Sequence, residues 1–206
     1  MKNNLTARFA LLLSLVGCSA TALAEPNPCP IVELQTGQGN ISIQLACQQA
    51  PLSSADFLHY AKVGLFDGQG FYRVVRADND HGTPQIDVVQ GGLLSQEPAF
   101  AAVKHESTAQ TGLSHKRGAI SLARGEINTG SAAYFFIVAK DSPGLDAGEK
   151  RNADQQGFAV FGEVVAGMEI VDAIHQTPAS ELKGEGYTAG QELKNPVAII
   201  KASIKL

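Results

Sequence analysis

The stretch IVELQTGQGNISIQL, residues 31–45, decides the fold class. Val32 and Leu34 share one face of a strand over Ile31–Thr36, and Ile41, Ile43 and Leu45 alternate with Ser42, Gln44 and Ala46. Such period-two alternation marks half-buried strands. Between them, Thr36-Gly37-Gln38-Gly39-Asn40 is rich in residues that tolerate positive φ, so the whole reads as a β-hairpin. Further strand-like runs follow at Phe71–Val75, Asp87–Gln90, Ala119–Leu122, Tyr134–Ala139, Phe158–Val165 and Val197–Ile204. Two helices interrupt them. One follows Pro51, with Ser53 or Ser54 as its expected cap, and runs to about Val63 before Gly64. The other spans Met168 to Gln176, with Met168, Val171 and Ile174 facing inward. Many short strands, few helices and glycine-rich turns point to a mainly β chain, an antiparallel barrel or sandwich.

The 206 residues suit one domain, and no composition shift marks a second. The formal charge of −4 argues against a nucleic-acid partner, which would select a basic stripe. The N-terminus reads separately. Lys2 and Arg8 precede a short apolar run, Phe9–Val16, and Ala22-Leu23-Ala24 has the small-x-small form of a cleavage site. The run is far shorter than the roughly 20 residues that span a bilayer. Residues 1–24 are therefore expected to be a signal peptide, 25–30 an extended lead-in, and 31–206 the folded domain, in a periplasmic protein. Losing the two leader cations takes the charge from −4 to −6. A second processing route stays open: Leu15-Val16-Gly17-Cys18 resembles a lipobox, in which Cys18 would be lipidated and would anchor the chain to a membrane. Either route leaves Cys29 and Cys47, an even pair in an oxidising compartment, and we expect a disulfide. A hairpin centred on Gln38 puts them equally far from the turn. Matching the apolar faces, however, requires a register shifted by one residue, so the bond needs the pairing to end early at Pro28, Pro30 or a bulge.

The residues exclude several chemistries. There is no Gly-x-Ser-x-Gly elbow for a serine hydrolase. The five histidines lack zinc-ligand spacing, and Gly68-x-Gly70 is too short for a nucleotide loop, so neither metal nor cofactor is expected.

Two segments go further. Phe71-Tyr72-Arg73-Val74-Val75 followed by Val88-Val89-Gln90-Gly91-Gly92 resembles the Phe-His-Arg-Val-Ile … Gln-Gly-Gly signature of the cyclophilins. Gly118–Arg124, Ala133–Ile137, Leu145-Asp146, Phe158–Val164 and Gly167–Glu169 resemble later landmarks of that family, in the right order, from about residue 31 to the C-terminus. The resemblance implies a closed eight-stranded antiparallel β-barrel capped by two α-helices, and peptidyl-prolyl cis/trans isomerase activity at a site on the outer barrel face. Its partners would be Xaa-Pro segments of unfolded or folding envelope proteins, and nothing suggests an obligate oligomer, so a monomer is expected.

By the same resemblance Arg73 is the catalytic arginine, Phe136 the pocket floor and Leu145 a pocket wall. Gln90 positions the arginine, Ala123 is small enough to let peptide backbone approach, and Val88 takes the place of a methionine. The chain also departs from the family. Tyr134 stands where glutamine is usual, Phe158 where histidine is common, and Gly144 where many members carry the tryptophan that borders cyclosporin. An insertion over about Arg76–Gln85 leaves open whether Ile86 or Asp87 replaces the pocket phenylalanine. These changes keep two alternatives in view: a proline-segment-binding chaperone or assembly factor with little turnover, and an envelope scaffold anchored through Cys18.

Overall fold

The computed structural model describes residues 29–95, 97–180 and 183–205; the expected signal peptide, Cys18 and most of the lead-in lie outside them. Eight strands form a closed antiparallel barrel: β1 (Ile31–Thr36), β2 (Gly39–Leu45), β3 (Gln69–Val75), β4 (Asp87–Gly92), β5 (Ala119–Leu122), β6 (Tyr134–Lys140), β7 (Ala159–Ala166) and β8 (Glu192–Lys205). Their order around the barrel is β1-β2-β7-β5-β6-β4-β3-β8. Closure leaves no unpaired edge. The helices are α1 (Pro51–Lys62), α3 (Met168–His175) and between them a single turn, α2 (Thr108–Thr111). That third helix was not expected: four residues carry no helical period, and its signal is only the capping pair Ser107 and Gln110.

The opening hairpin pairs Val32 with Ile43 and Leu34 with Ile41, so its loop is the two residues Gly37-Gln38 instead of five. Gly39 begins β2 at φ +137, a conformation that disfavours a side chain. In this register Cys29 would face residue 46, not Cys47. Yet the two cysteines are bonded, with Cα atoms 5.8 Å apart. Ordered pairing stops at Ile31, and Ala46 already donates to Phe161 O on β7, which frees Cys47 to turn back.

Helix α1 corrects the expected cap. Pro51 occupies the start of the first turn, where its missing N–H costs nothing, and this places Ser53 and Ser54 inside the helix. The cap comes instead from Glu106, whose carboxylate accepts from Leu52 N (3.0 Å), Ser53 N (2.8 Å) and Ser53 Oγ (2.7 Å). A carboxylate there also suits the positive end of the helix dipole.

Apolar packing falls into two clusters on opposite sides of the barrel wall. The inner one centres on Phe57, whose ring meets Phe66, Phe135 and Phe161 at 5.0, 5.2 and 5.1 Å. The outer one joins Val75, Ile86, Val88, Phe136, Val138, Leu145 and Val160, with Phe158 against it. Strand β6 serves both: Phe135 and Ile137 point inward, Phe136 and Val138 outward. Its unbroken apolar run is what burial on both faces requires.

Candidate active site

Arg73 owes its direction to a β-bulge. Phe71 pairs with Gly91 and Arg73 with Gln90, so β3 carries one residue more than β4 over that interval. Strict alternation would send Phe71 and Arg73 to the same face. The extra residue, Tyr72, lets Phe71 stay in the inner core while Arg73 turns outward. Gly91 and Gly92 make room for this. A Cβ on Gly91 would lie 2.7 Å from the Phe71 ring, and one on Gly92, at φ +125, would strike the Ala133 carbonyl.

Register then lays the site out across the sheet: Arg73 on β3 faces Gln90 on β4, and Gln90 faces Phe136 on β6. Arg73 Nη1 donates to Gln90 Oε1 at 2.7 Å, and Gln90 Nε2 donates to the Tyr72 hydroxyl at 3.0 Å. A cavity of about 220 Å³ opens over this row. Besides Arg73 and Gln90 it is lined by Ile86, Val88, Ala123, Phe136, Leu145 and Phe158, and closed on one side by Arg124, Arg151 and Tyr187. Seven of the eight residues expected at the site thus meet in one place. Tyr134 does not line the cavity; paired with Gly92 at the start of β6, it packs half-buried against the inner cluster. Ile86, not Asp87, takes the open pocket position, since Asp87 turns towards Lys140 (3.7 Å) and His175 (3.6 Å).

Two rings hold Phe136. Phe158 meets it edge-on at 5.4 Å, and His115 stacks behind it at 5.8 Å. His115 is itself buried between Asp146 Oδ1 (2.6 Å from Nδ1) and Ser121 Oγ (3.1 Å from Nε2). Burial lowers the His115 pKa, and the Asp146 carboxylate opposes the shift only in part. Arg124 lies 5.4 Å over the Phe158 ring and pairs with Asp154 through both terminal nitrogens, at 2.7 and 2.9 Å; those hydrogen bonds hold the Asp154 pKa down to about 2.

The remaining wall was not foreseen, because it comes from loops without period or motif. Arg151 forms a bidentate pair with Asp80 (2.8 and 2.7 Å), donates to Pro84 O at 2.7 Å and donates to the Tyr187 hydroxyl. Both charged side chains are almost wholly buried. Burial works against ionisation of Asp80, but hydrogen bonds from Arg151 and from Gly82 and Ile86 N outweigh it and hold the carboxyl below its usual range. Tyr187 lies 5.6 Å from the Arg73 guanidinium. Burial lowers the Arg73 pKa, and both Tyr187 and Tyr72 oppose the shift. Gly144 now has a physical account. A side chain there would collide with the Pro84 ring, so the insertion occupies the space a tryptophan would take.

The cationic fork and the apolar slot beneath it lie on the outside of the closed barrel, not in its interior. The chain belongs to the cyclophilin-type peptidyl-prolyl cis-trans isomerase family, whose model matches residues 31–204. It is 33% identical to a peptidyl-prolyl cis-trans isomerase of Acinetobacter baylyi, over 96% of this chain and 95% of that one. It is 35% identical to peptidyl-prolyl cis-trans isomerase A of Dickeya dadantii, over 85% and 86%. Among solved structures it is similar in fold to a cyclophilin of Cryptosporidium parvum crystallised in the presence of the dipeptide Ala-Pro, with a TM-score of 0.65 and 18% identity, covering 85% of this chain and 99% of that one.

Proposed function

We propose that this chain accelerates rotation about Xaa-Pro bonds in exported proteins as they fold, with Arg73 as the catalytic group. The observation that carries the reading is the Arg73–Gln90–Phe136 row beneath a single cavity. Uncatalysed rotation takes tens of seconds over a barrier of about 20 kcal/mol, which comes from resonance in the amide C–N bond. No nucleophile is needed. The protein must hold the proline ring and favour the twisted, pyramidal nitrogen over the planar one, because only contacts stronger in the twisted state accelerate the reaction. Val88, Phe136, Leu145, Ile86 and Phe158 supply the apolar slot for the ring. Arg73 supplies a permanent charge with fixed donors, suited to the proline carbonyl and the approaching nitrogen. Ala123 leaves room for the substrate backbone at the rim. The Ala-Pro dipeptide present with the Cryptosporidium relative agrees with a proline-containing ligand.

The test is an isomerisation assay, protease-coupled or by NMR exchange, on a short Xaa-Pro peptide. Catalysed exchange is expected; a peptide that binds without faster exchange would favour the chaperone reading. The export context rests on the Lys2–Ala24 pattern and the cysteine pair. Intact mass of protein from the soluble periplasm should give a chain beginning at Glu25. A lipidated species beginning at Cys18 in the membrane fraction would replace that reading with the anchored one.

A further inference from the structure

Arg73 has a second holder that no sequence motif marks. Gln191 Oε1 accepts from Arg73 Nε at 2.9 Å and from Nη2 at 2.5 Å, on the side of the guanidinium away from the Gln90 contact. Gln191 has no exposed surface, so each of its polar atoms must find a partner inside the protein. Its Nε2 donates to Asn79 O at 2.7 Å, and its backbone O accepts from Val74 N at 2.9 Å. Asn79 belongs to the 76–85 insertion and is fully engaged. Its Oδ1 accepts from Arg76 N (2.7 Å), and its Nδ2 donates to Val74 O (3.2 Å) and Gly190 O (3.1 Å). This network fixes which way the Gln191 amide points. Turned over, its NH₂ would face the Arg73 donors and its oxygen would face the Asn79 carbonyl, two mismatches in a buried site.

We propose that Gln191 is a positioning residue for the isomerisation, completing with Gln90 a two-carboxamide clamp on Arg73 that the insertion orients through Asn79. The assignment rests on the reading that Arg73 acts on the prolyl bond. Three of the five guanidinium N–H donors are used by the clamp; one N–H on each terminal nitrogen stays outside it, on the part of the guanidinium that borders Tyr187 and the cavity. A long side chain that would otherwise sample many rotamers is thereby held in one plane before substrate arrives. Pre-set donors of this kind act without reorganisation during the reaction. Because Gln191 touches Arg73 and, unlike Gln90, does not line the cavity, its loss should appear in turnover more than in affinity.

The experiment compares wild type with Gln191→Met and Gln191→Glu on one Xaa-Pro peptide, and follows solvent exchange of the Arg73 Nε–H by nitrogen-resolved NMR. Methionine keeps length and apolar bulk but has no oxygen acceptor; glutamate keeps the acceptor towards Arg73 and loses the donor to Asn79 O, so it separates the Arg73 contact from the link to the insertion. We expect Gln191→Met to lower kcat at least about ten-fold, since both charge-assisted hydrogen bonds from Arg73 lose their acceptor, with KM within about two-fold. Its Nε–H should exchange at least about ten-fold faster, and Gln191→Glu should keep it slow. Unchanged kcat and exchange in a folded Gln191→Met protein would overturn the assignment. The wild-type spectrum tests it without any variant, since an unprotected Arg73 Nε–H is incompatible with the clamp. Wild type without turnover would overturn the isomerase reading, and with it this one; wild-type turnover matched by Gln191→Met overturns the clamp alone.

Discussion

The two walls of the cavity are built by different physics. On the strand wall, Arg73, Gln90 and Phe136 sit on three neighbouring strands whose register sets their spacing. Adjacent strands lie about 4.8 Å apart whatever side chains they carry, so this wall tolerates substitution without moving. On the loop wall, Asp80, Pro84, Arg151 and Tyr187 come from three irregular segments and hold one another by side-chain bonds. There the side chains are the structure. A change on the strand wall should therefore cost activity and leave stability, whereas a change on the loop wall should cost both.

The largest effect is expected on the loop wall. Asp80→Ala leaves Arg151 buried without its counter-ion, a class of change that costs about 3–5 kcal/mol. Chemical denaturation should show that loss. The comparison is sharpened by the double variant Asp80→Ala with Arg151→Met, which removes both charges and should recover most of the stability. If the single variant melts like wild type, the loop wall is not held by its ion pair. Acid should act in the same direction. With its carboxyl held below the usual range, Asp80 contributes stability that is present above the unfolded carboxylate pKa and is lost as pH falls through the depressed value.

Next comes Arg73→Ala, on the strand wall. It should lower kcat/KM about ten- to two-hundred-fold, the equivalent of a charge-assisted hydrogen bond of about 1.5–3 kcal/mol, with a fall in Tm smaller than that of Asp80→Ala, since the buried Gln191 oxygen loses its partner but no charge is stranded. Wild-type turnover in the folded variant would remove Arg73 from the mechanism. A large fall in Tm would break the contrast between the walls.

The same division explains what could be read in advance. The alternating residues of the 31–45 hairpin and the apolar runs of β4 and β6 record which faces are buried, so a mainly β antiparallel chain was legible from pattern, while closure into a barrel and the residues of its outer face were implied by the resemblance to the cyclophilins. The β8 segment before Pro196 was missed because Glu192, Lys194 and Asn195 carry no apolar alternation. The bulge at Tyr72 leaves no local mark either; it exists because Phe71 and Arg73 have to face opposite ways. Gln191, Arg151 and Asp80 were invisible for a deeper reason. Their partners lie 118, 71 and 71 residues away in the chain, and none of the three stands in a segment with period or motif of its own. Glu106, capping α1 from 53 residues away, is a further case.

Cyclosporin binding probes the junction of the walls. Gly144 lacks the tryptophan that borders the inhibitor in many cyclophilins, and Pro84 fills the space. Calorimetry should find weak binding, and Gly144→Trp should not strengthen it while the insertion is present. A tight complex with the unaltered chain would mean that the loop wall presents an equivalent surface.

The smallest effect expected is a pH dependence from behind the strand wall. His115 is buried against Phe136, its pKa lowered by desolvation despite Asp146. A histidine whose folded pKa is depressed binds fewer protons folded than unfolded at pH values between the two. Stability should therefore be full above the unfolded value of about 6.5 and decline as pH falls below it. Protonation would place a charge between Phe136 and the Ser121 hydroxyl, and the simplest relief is movement of the ring that floors the cavity. Tm should fall reversibly over that window, while turnover of the folded enzyme holds until the pH approaches the lower, folded value; Arg73, whose charge persists there, contributes nothing to the change. Thermal melts of wild type and His115→Asn from pH 7.5 to about 5 decide it, since the variant lacks the titrating ring. A slope that survives in the variant would assign the effect to another group and leave Phe136 mechanically independent of His115.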